Sequence, residues 1–249
     1  MFYTLIHTHK METSEDSIAL ATVAPMAPVT SKRAVQTDLE SSIPKPYMAR
    51  AMAAPDMEHP DGTPDHDARG LSVLQQHVSF FDQNNDGIVY PWETYSGLRS
   101  IGFNVLFALI AGLGFNLTFS YPSLPGYIPS LLLPVYIENI HKGKHPSDSG
   151  TYDTEGRYMP VYFESMFSKY GKTSQDKLTL RELWNMTEGN RVALDLVGWI
   201  VNKFEWGAVY IIARDDEGYL SKEAMRGVFD GSLFENLSKK NAFKEKKMV

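Results

Sequence analysis

The sequence predicts a mainly α-helical fold: a helix–loop–helix unit at residues 70–99, a central hydrophobic segment bent at prolines over residues 100–137, and a helical C-terminal domain over residues 138–238. Three observations carry this. Residues 82–93 read DQNNDGIVYPWE between two stretches with apolar residues at helical spacing. Residues 100–137, 38 in a row, contain no Asp, Glu, Lys, Arg or His. From residue 161 onward, apolar residues recur at helical spacing between short polar loops.

A chain of 249 residues is long enough for one large domain with extensions. Its net charge of −6 argues against a nucleic-acid partner. The absence of cysteine removes disulfides and thiolate ligands from consideration. Residues 1–10 lack the apolar run of a secretory signal, and Met11 reads as an alternative initiator. Residues 1–69 are rich in Pro, Ala, Asp and Ser, which predicts an extended arm with little buried apolar surface; Met48, Met52 and Met57 are its candidate docking residues.

Leu74, Val78 and Phe81 share one face of a helix predicted over residues 71–81, and a second helix is predicted from Trp92. The loop between them fits the pattern D-x-[DN]-x-[DN]-G-x5-E of an EF-hand calcium site. Asp82, Asn84 and Asp86 supply side-chain oxygens, Gly87 permits the sharp turn, Ile88 offers its carbonyl, Tyr90 acts through a water, and Glu93 closes the site with two oxygens. Val89 is the residue expected to pair with a second loop. Residues 171–182 have that shape but lack carboxylates at the early positions, which makes them a metal-free partner. Asp215, Asp216 and Glu217 form another acidic turn whose closing Glu223 falls one position early.

Within the uncharged segment, residues 101–121 would span roughly 30 Å as a helix, close to the hydrocarbon thickness of a bilayer. Prolines 122, 125, 129 and 134 then bend the chain. A transmembrane helix, a hairpin dipping into one leaflet or a lipid droplet, and a soluble core helix all compete. Arg99 before the segment and Lys142 and Lys144 after it favour the hairpin, with both termini on the cytosolic side. Further helices are predicted at 161–170, 179–188, 191–213 and 221–230, with a frayed basic tail over 239–249.

Of seven histidines, four (7, 9, 59 and 66) fall in the arm and are expected in solvent. His77 lies on the first helix between Val73 and Phe81. On residues alone it reads first as a core histidine with one hydrogen bond, with axial ligation of haem iron as the alternative. His141 and His145, four apart with Lys142 and Lys144 between them, read as a lipid-headgroup patch before a zinc pair.

The run LSVLQQHVSFFDQNNDGIVYPWETYSGLRSIGF, together with NIHKGKHPSDSGTYDTEGRYMP, FSKYGKTSQDKLTLRELWNMTEGNR and ARDDEGYLSKEAMRGVFDGSLFE, resembles the caleosins, plant lipid-droplet proteins with peroxygenase activity. The resemblance extends over about residues 21–235. It implies one calcium EF-hand, a membrane or lipid-droplet anchor with a proline-knot bend at Pro125, Pro129 and Pro134, and residence on lipid droplets and the endoplasmic reticulum. It also implies haem b, with oxygen transferred from fatty-acid hydroperoxides to unsaturated lipids. His77 takes the place of the family's proximal haem ligand, His141 or His145 that of a second important histidine, and Ser232 that of a phosphorylated serine. Leu131 stands where the family's knot has its central proline. A homo-oligomer is compatible with this reading. The rival readings are a non-enzymatic calcium-binding structural or signalling protein of lipid droplets and a soluble EF-hand interaction protein.

Overall fold

The computed structural model describes residues 24–27 and 36–248. His7, His9, Met11 and the rest of the first 35 positions lie outside the described residues, apart from a turn at 24–27 closed by the Ala27 amide on the Ala24 carbonyl. Residues 36–249 form one compact unit.

Helix α1 (Val73–Ser79) starts where Ser72 and Gln75 satisfy each other's backbone amides in a capping box. Strand β1 (Ile88–Val89) follows the acidic loop, and α2 (Pro91–Ser100) opens with proline at its first position. The uncharged segment forms α3 (Val105–Ser123). It starts four residues later than expected, because Gly102 takes a φ of +113° and Asn104 caps the new helix on the Phe107 amide. After Leu124 the chain turns through its prolines and returns as β2 (Val135–Tyr136), antiparallel to β1 with Val89 opposite Val135. Val89 therefore pairs with the chain leaving the proline bend, and residues 171–182 are not its partner. A 3₁₀ helix over Ile137–Gly143 follows.

The C-terminal half contains α4 (Pro160–Tyr170), β3 (Lys177–Thr179), α5 (Leu180–Gly189), α6 (Leu196–Ala213), β4 (Tyr219–Ser221), α7 (Lys222–Phe229) and α8 (Ser232–Met248). Strands β3 and β4 pair antiparallel with Leu178 opposite Leu220, both fully buried. The carboxylate-poor loop at 171–182 thus pairs with the acidic turn at 215–218. Helix α6 begins at Leu196, since residues 191–195 are not helical and Asp195 caps the helix on the Gly198 amide. The basic tail expected to fray continues α8 to Met248.

The arm is better ordered than its composition predicts. Leu39, Ile43 and Ala54 are buried, whereas Met48 and Met52 stay exposed. Its docking is polar as well as apolar. Asp56 and Arg226, 1 % and 2 % exposed, pair at 3.0 Å between Oδ2 and Nε, with the Nε proton off line so that the contact is ionic. Thr63 bonds both Arg226 and Asp230. His59 and His66 are half-buried, His59 against Asp56 and His66 against Gln76.

Candidate functional site

A cavity of about 450 Å³ lies among α1, α3, α6, the 3₁₀ helix and the α7–α8 junction. Its walls are mostly aromatic and aliphatic, including Phe81, Phe115, Phe119, Val209 and Phe234, and its volume falls in the range of small-molecule and cofactor sites.

His77 lines this cavity from α1. Its Nδ1 lies 2.6 Å from the Val228 carbonyl oxygen, which cannot donate, so Nδ1 carries the proton. In the neutral ring Nε2 is then left with a free lone pair. Burial holds the ring's pKa below the usual histidine value, against the opposing pull of the Val228 carbonyl and Asp230. The side chain is deep in the protein yet keeps accessible surface, which the cavity supplies. Phe234 packs edge-on to the ring at 5.2 Å. Gly231, at φ +80°, lies so close that a Cβ there would meet the Gln76 carbonyl oxygen at 2.9 Å and the His77 Cα at 3.3 Å. Ser232, the phosphorylation candidate, is buried beside this junction, so a kinase reaches it only if the junction opens.

Of the two histidines left open by the sequence, His145 lines the cavity and His141 does not. They share no helix, because the 3₁₀ helix ends at Gly143. The His145 Nδ1 is buried without a hydrogen bond, 3.9 Å from Asp195 Oδ2. Burial lowers its pKa too, opposed by Asp148 and Asp195. Lys144 is no headgroup ligand. Its ammonium bonds the Tyr152 and Asp153 carbonyls and lies 3.4 Å from Asp148.

Sequence reading missed Glu205. This α6 residue lines the cavity and makes no hydrogen bond or ion pair among the described residues. Its side chain keeps exposed surface, facing the cavity, but the protein packed around the carboxyl withholds bulk solvent and, with the Asp148 charge adding to it, pushes its pKa from an ordinary 4.5 up to about 7. A carboxylate inside a mostly apolar helical run, two residues from Lys203, was the available signal.

In the 82–93 loop, Asp82 accepts from the Asp86 and Gly87 amides at 3.2 and 2.8 Å, and Asn84 Oδ1 accepts from Asp86 at 3.0 Å. Asp86 accepts from Ile88 at 2.8 Å. Glu93 is buried and accepts from the Tyr90 amide at 2.9 Å. Asn85 and Gly87 both take positive φ, which gives the turn its curvature. Tyr90 stacks flat on Trp92, ring centroids 4.5 Å apart. Among the described residues no three His, Cys, Asp or Glu side chains converge as a metal cluster. The loop's donor set is mixed, with an Asn amide and a carbonyl beside its carboxylates.

The two other loops are closed by their own atoms. Glu182 accepts from the Lys172, Thr173 and Thr179 amides and the Thr179 hydroxyl, all within 2.9 Å. Lys177 reaches across to Asp215 at 3.0 Å, so an ammonium sits between the loops.

The sequence matches the family described as Caleosin related protein over residues 69–238. The chain belongs to the caleosin family. It is 50 % identical over 234 residues to a protein of Lilium longiflorum named peroxygenase, covering 94 % of this chain and 98 % of that one. It is 41 % identical over 176 residues to an Arabidopsis thaliana protein named probable peroxygenase 4, covering 71 % and 90 %. A third relative, from Arabidopsis thaliana and named probable inactive peroxygenase-like protein, is 32 % identical over 146 residues, covering 59 % of this chain and 70 % of that one. No solved structure matches the chain.

Proposed function

We propose that this caleosin is a haem peroxygenase that oxygenates unsaturated lipids at a lipid surface, with calcium in the 82–93 loop. The observation that carries this reading is the His77 imidazole, fixed by Val228 with Nε2 unprotonated beside a large apolar cavity. An Nδ1–H bonded to a carbonyl orients a ring and raises its basicity as an iron ligand. The cavity's aromatic walls suit a flat apolar macrocycle, so the residues fit the group. When bound, haem supplies cleavage of the hydroperoxide O–O bond and transfer of oxygen to a double bond.

The chain's own residues do the rest. His77 Nε2 would hold the iron. His145 and Glu205 are the cavity groups placed to move a proton, since burial keeps the His145 imidazole neutral and holds the Glu205 carboxyl up to about 7. A neutral His145 imidazole accepts the hydroperoxide proton, a protonated Glu205 carboxyl gives one to the departing alcohol oxygen, and the imidazolium then restores the Glu205 proton. The apolar walls admit fatty-acid hydroperoxides and unsaturated fatty acids while limiting water.

Asp82, Asn84, Asp86, the Ile88 carbonyl and Glu93 form an all-oxygen set suited to a hard divalent cation in an EF-hand loop. That loop begins five residues after His77, and β1 within it pairs with β2, so calcium there steadies the element that carries the iron ligand.

Helix α3 is long and apolar enough to cross a membrane by length and composition. One face, however, is built into the fold. Asn116 is fully buried, bonded to the Val89 and Leu133 carbonyls and accepting from the Thr94 hydroxyl. A full span would tear these bonds out, so α3 lies along the lipid with its outer face, including Leu106, Leu109 and Leu113, in contact. The bend at Pro125, Pro129 and Pro134 serves as the proline knot, with the fully exposed Leu131 at its tip. Both ends of α3 stay on one side, consistent with cytosolic termini on lipid droplets and endoplasmic reticulum.

The relative named inactive favours a second reading, a non-enzymatic calcium-binding lipid-droplet protein. Haem-loaded full-length protein given a fatty-acid hydroperoxide and oleic acid separates the two. Epoxide formed by the wild type and lost in His77→Ala supports the enzyme; no epoxide from a haem-replete wild type supports the alternative.

A further inference from the structure

Helix α6 exposes Leu196, Val197, Ile200, Phe204 and Ile211. At about 100° per residue all five fall within one arc of about 100°. The opposite side buries Gly198, Asn202, Trp206, Val209 and Tyr210. The helix carries two charges, and neither lies in the exposed arc. Lys203, at its edge, is bonded to Glu188 at 2.7 Å and lies over the Trp184 ring at 3.5 Å. Glu205 faces the cavity.

This face is continuous with that of α3. Phe204 stacks on Phe107 of α3, with centroids 5.6 Å apart and planes 11° from parallel. Ile110 of α3 and Ile200 of α6 are exposed on the outer surface and also line the cavity, so its mouth opens between the two helices. The two faces meet at the Phe107–Phe204 stack as one uncharged apolar surface, whose α6 part runs from Leu196 to Ile211, about 24 Å. Such a surface offers a protein partner few polar groups for specificity, whereas hydrocarbon needs none. It also places the mouth of an apolar cavity where oily substrates concentrate.

We propose that α6 is a second lipid-contacting element: α3 and α6 lie side by side against a lipid surface, and the cavity mouth between them opens into hydrocarbon. The inference rests on the lipid reading of α3 given above and extends it to a helix outside the uncharged segment. Substrate tails then enter the site laterally, without crossing water.

The chain has no cysteine, so single cysteines label cleanly. Val197→Cys and Ile211→Cys report on α6, Leu113→Cys on α3, and Glu217→Cys on an exposed polar loop. Each full-length variant carries an environment-sensitive fluorophore and is mixed with phosphatidylcholine vesicles with or without bromine on the acyl chains. Circular dichroism melting confirms that each is folded. The expected result is bromine-dependent loss of fluorescence at 197 and 211 comparable with that at 113, and none at 217. Quenching at 113 without quenching at 197 and 211 overturns the proposal and leaves the α3 reading standing. No quenching at any position overturns both. A lipid-independent spectral shift at 197 and 211 that grows with protein concentration, without quenching, assigns the face to a second copy and also overturns it.

Discussion

Glu205 is the residue on which pH acts most directly. Its folded pKa of about 7 lies above the ordinary 4.5, so the folded state holds a proton that the unfolded state releases. Stability is therefore expected to fall as pH rises from about 4.5 through about 7 and to level off beyond, and Glu205→Gln should remove this component. Urea denaturation of both proteins between pH 5 and 8 measures the difference; parallel curves would contradict the assignment. The two histidines of the NIHKGKH run should also part company. His145→Ala is expected to keep haem absorbance while kcat falls, by about 10²–10⁴-fold if its proton transfer is lost. His141→Ala should leave both unchanged, because that ring is outside the cavity. Sequence alone could not separate them. Their spacing of four suggests a shared helical face, and only the end of the 3₁₀ helix at Gly143 turns one of them inward.

At the scale of elements, three loops share a helix–loop–strand–helix plan; the first has the full EF-hand spacing, the second lacks early carboxylates, and the third has its carboxylates met by the Lys177 ammonium. Calorimetric titration should find one calcium per chain, since Glu182 is saturated by the loop's own donors and Lys177 occupies the space between the other two loops. Glu93→Gln should weaken that site and lower haem retention, because the loop and α1 are contiguous. Unchanged haem absorbance after calcium is lost would break the proposed coupling. The helices were largely legible from apolar periodicity, and the first loop from its spacing. The strand partners were not. Nothing local in Val89 distinguishes Val135 from Leu178 as its neighbour, and the choice is made by the proline turn, which brings residue 135 back beside the loop. The start of α3 was legible in hindsight at Gly102 and Asn104, a breaker followed by a cap, within a run whose missing charges suggested one continuous helix.

Across the whole molecule, the arm closes over α7 through buried charge. Its proline-rich composition hid this, because Asp56 and Thr63 look like loop residues until Arg226 is seen opposite them. Arg226→Ala leaves the buried Asp56 without its guanidinium counter-charge, with His59 as its remaining side-chain partner, and is expected to cost about 3–5 kcal/mol of stability, read from urea denaturation. Since α7 also supplies the Val228 carbonyl to His77, the arm, the C-terminal helices and the proposed iron ligand form one connected assembly. The most direct measurement is a titration of the full-length apoprotein with haemin, followed by its Soret absorbance, for wild type, His77→Ala and His141→Ala. Saturable binding by wild type and His141→Ala, with the band shifted or lost in His77→Ala, is the predicted result. Equal spectra and affinities for wild type and His77→Ala, or no binding by any of the three, would contradict it.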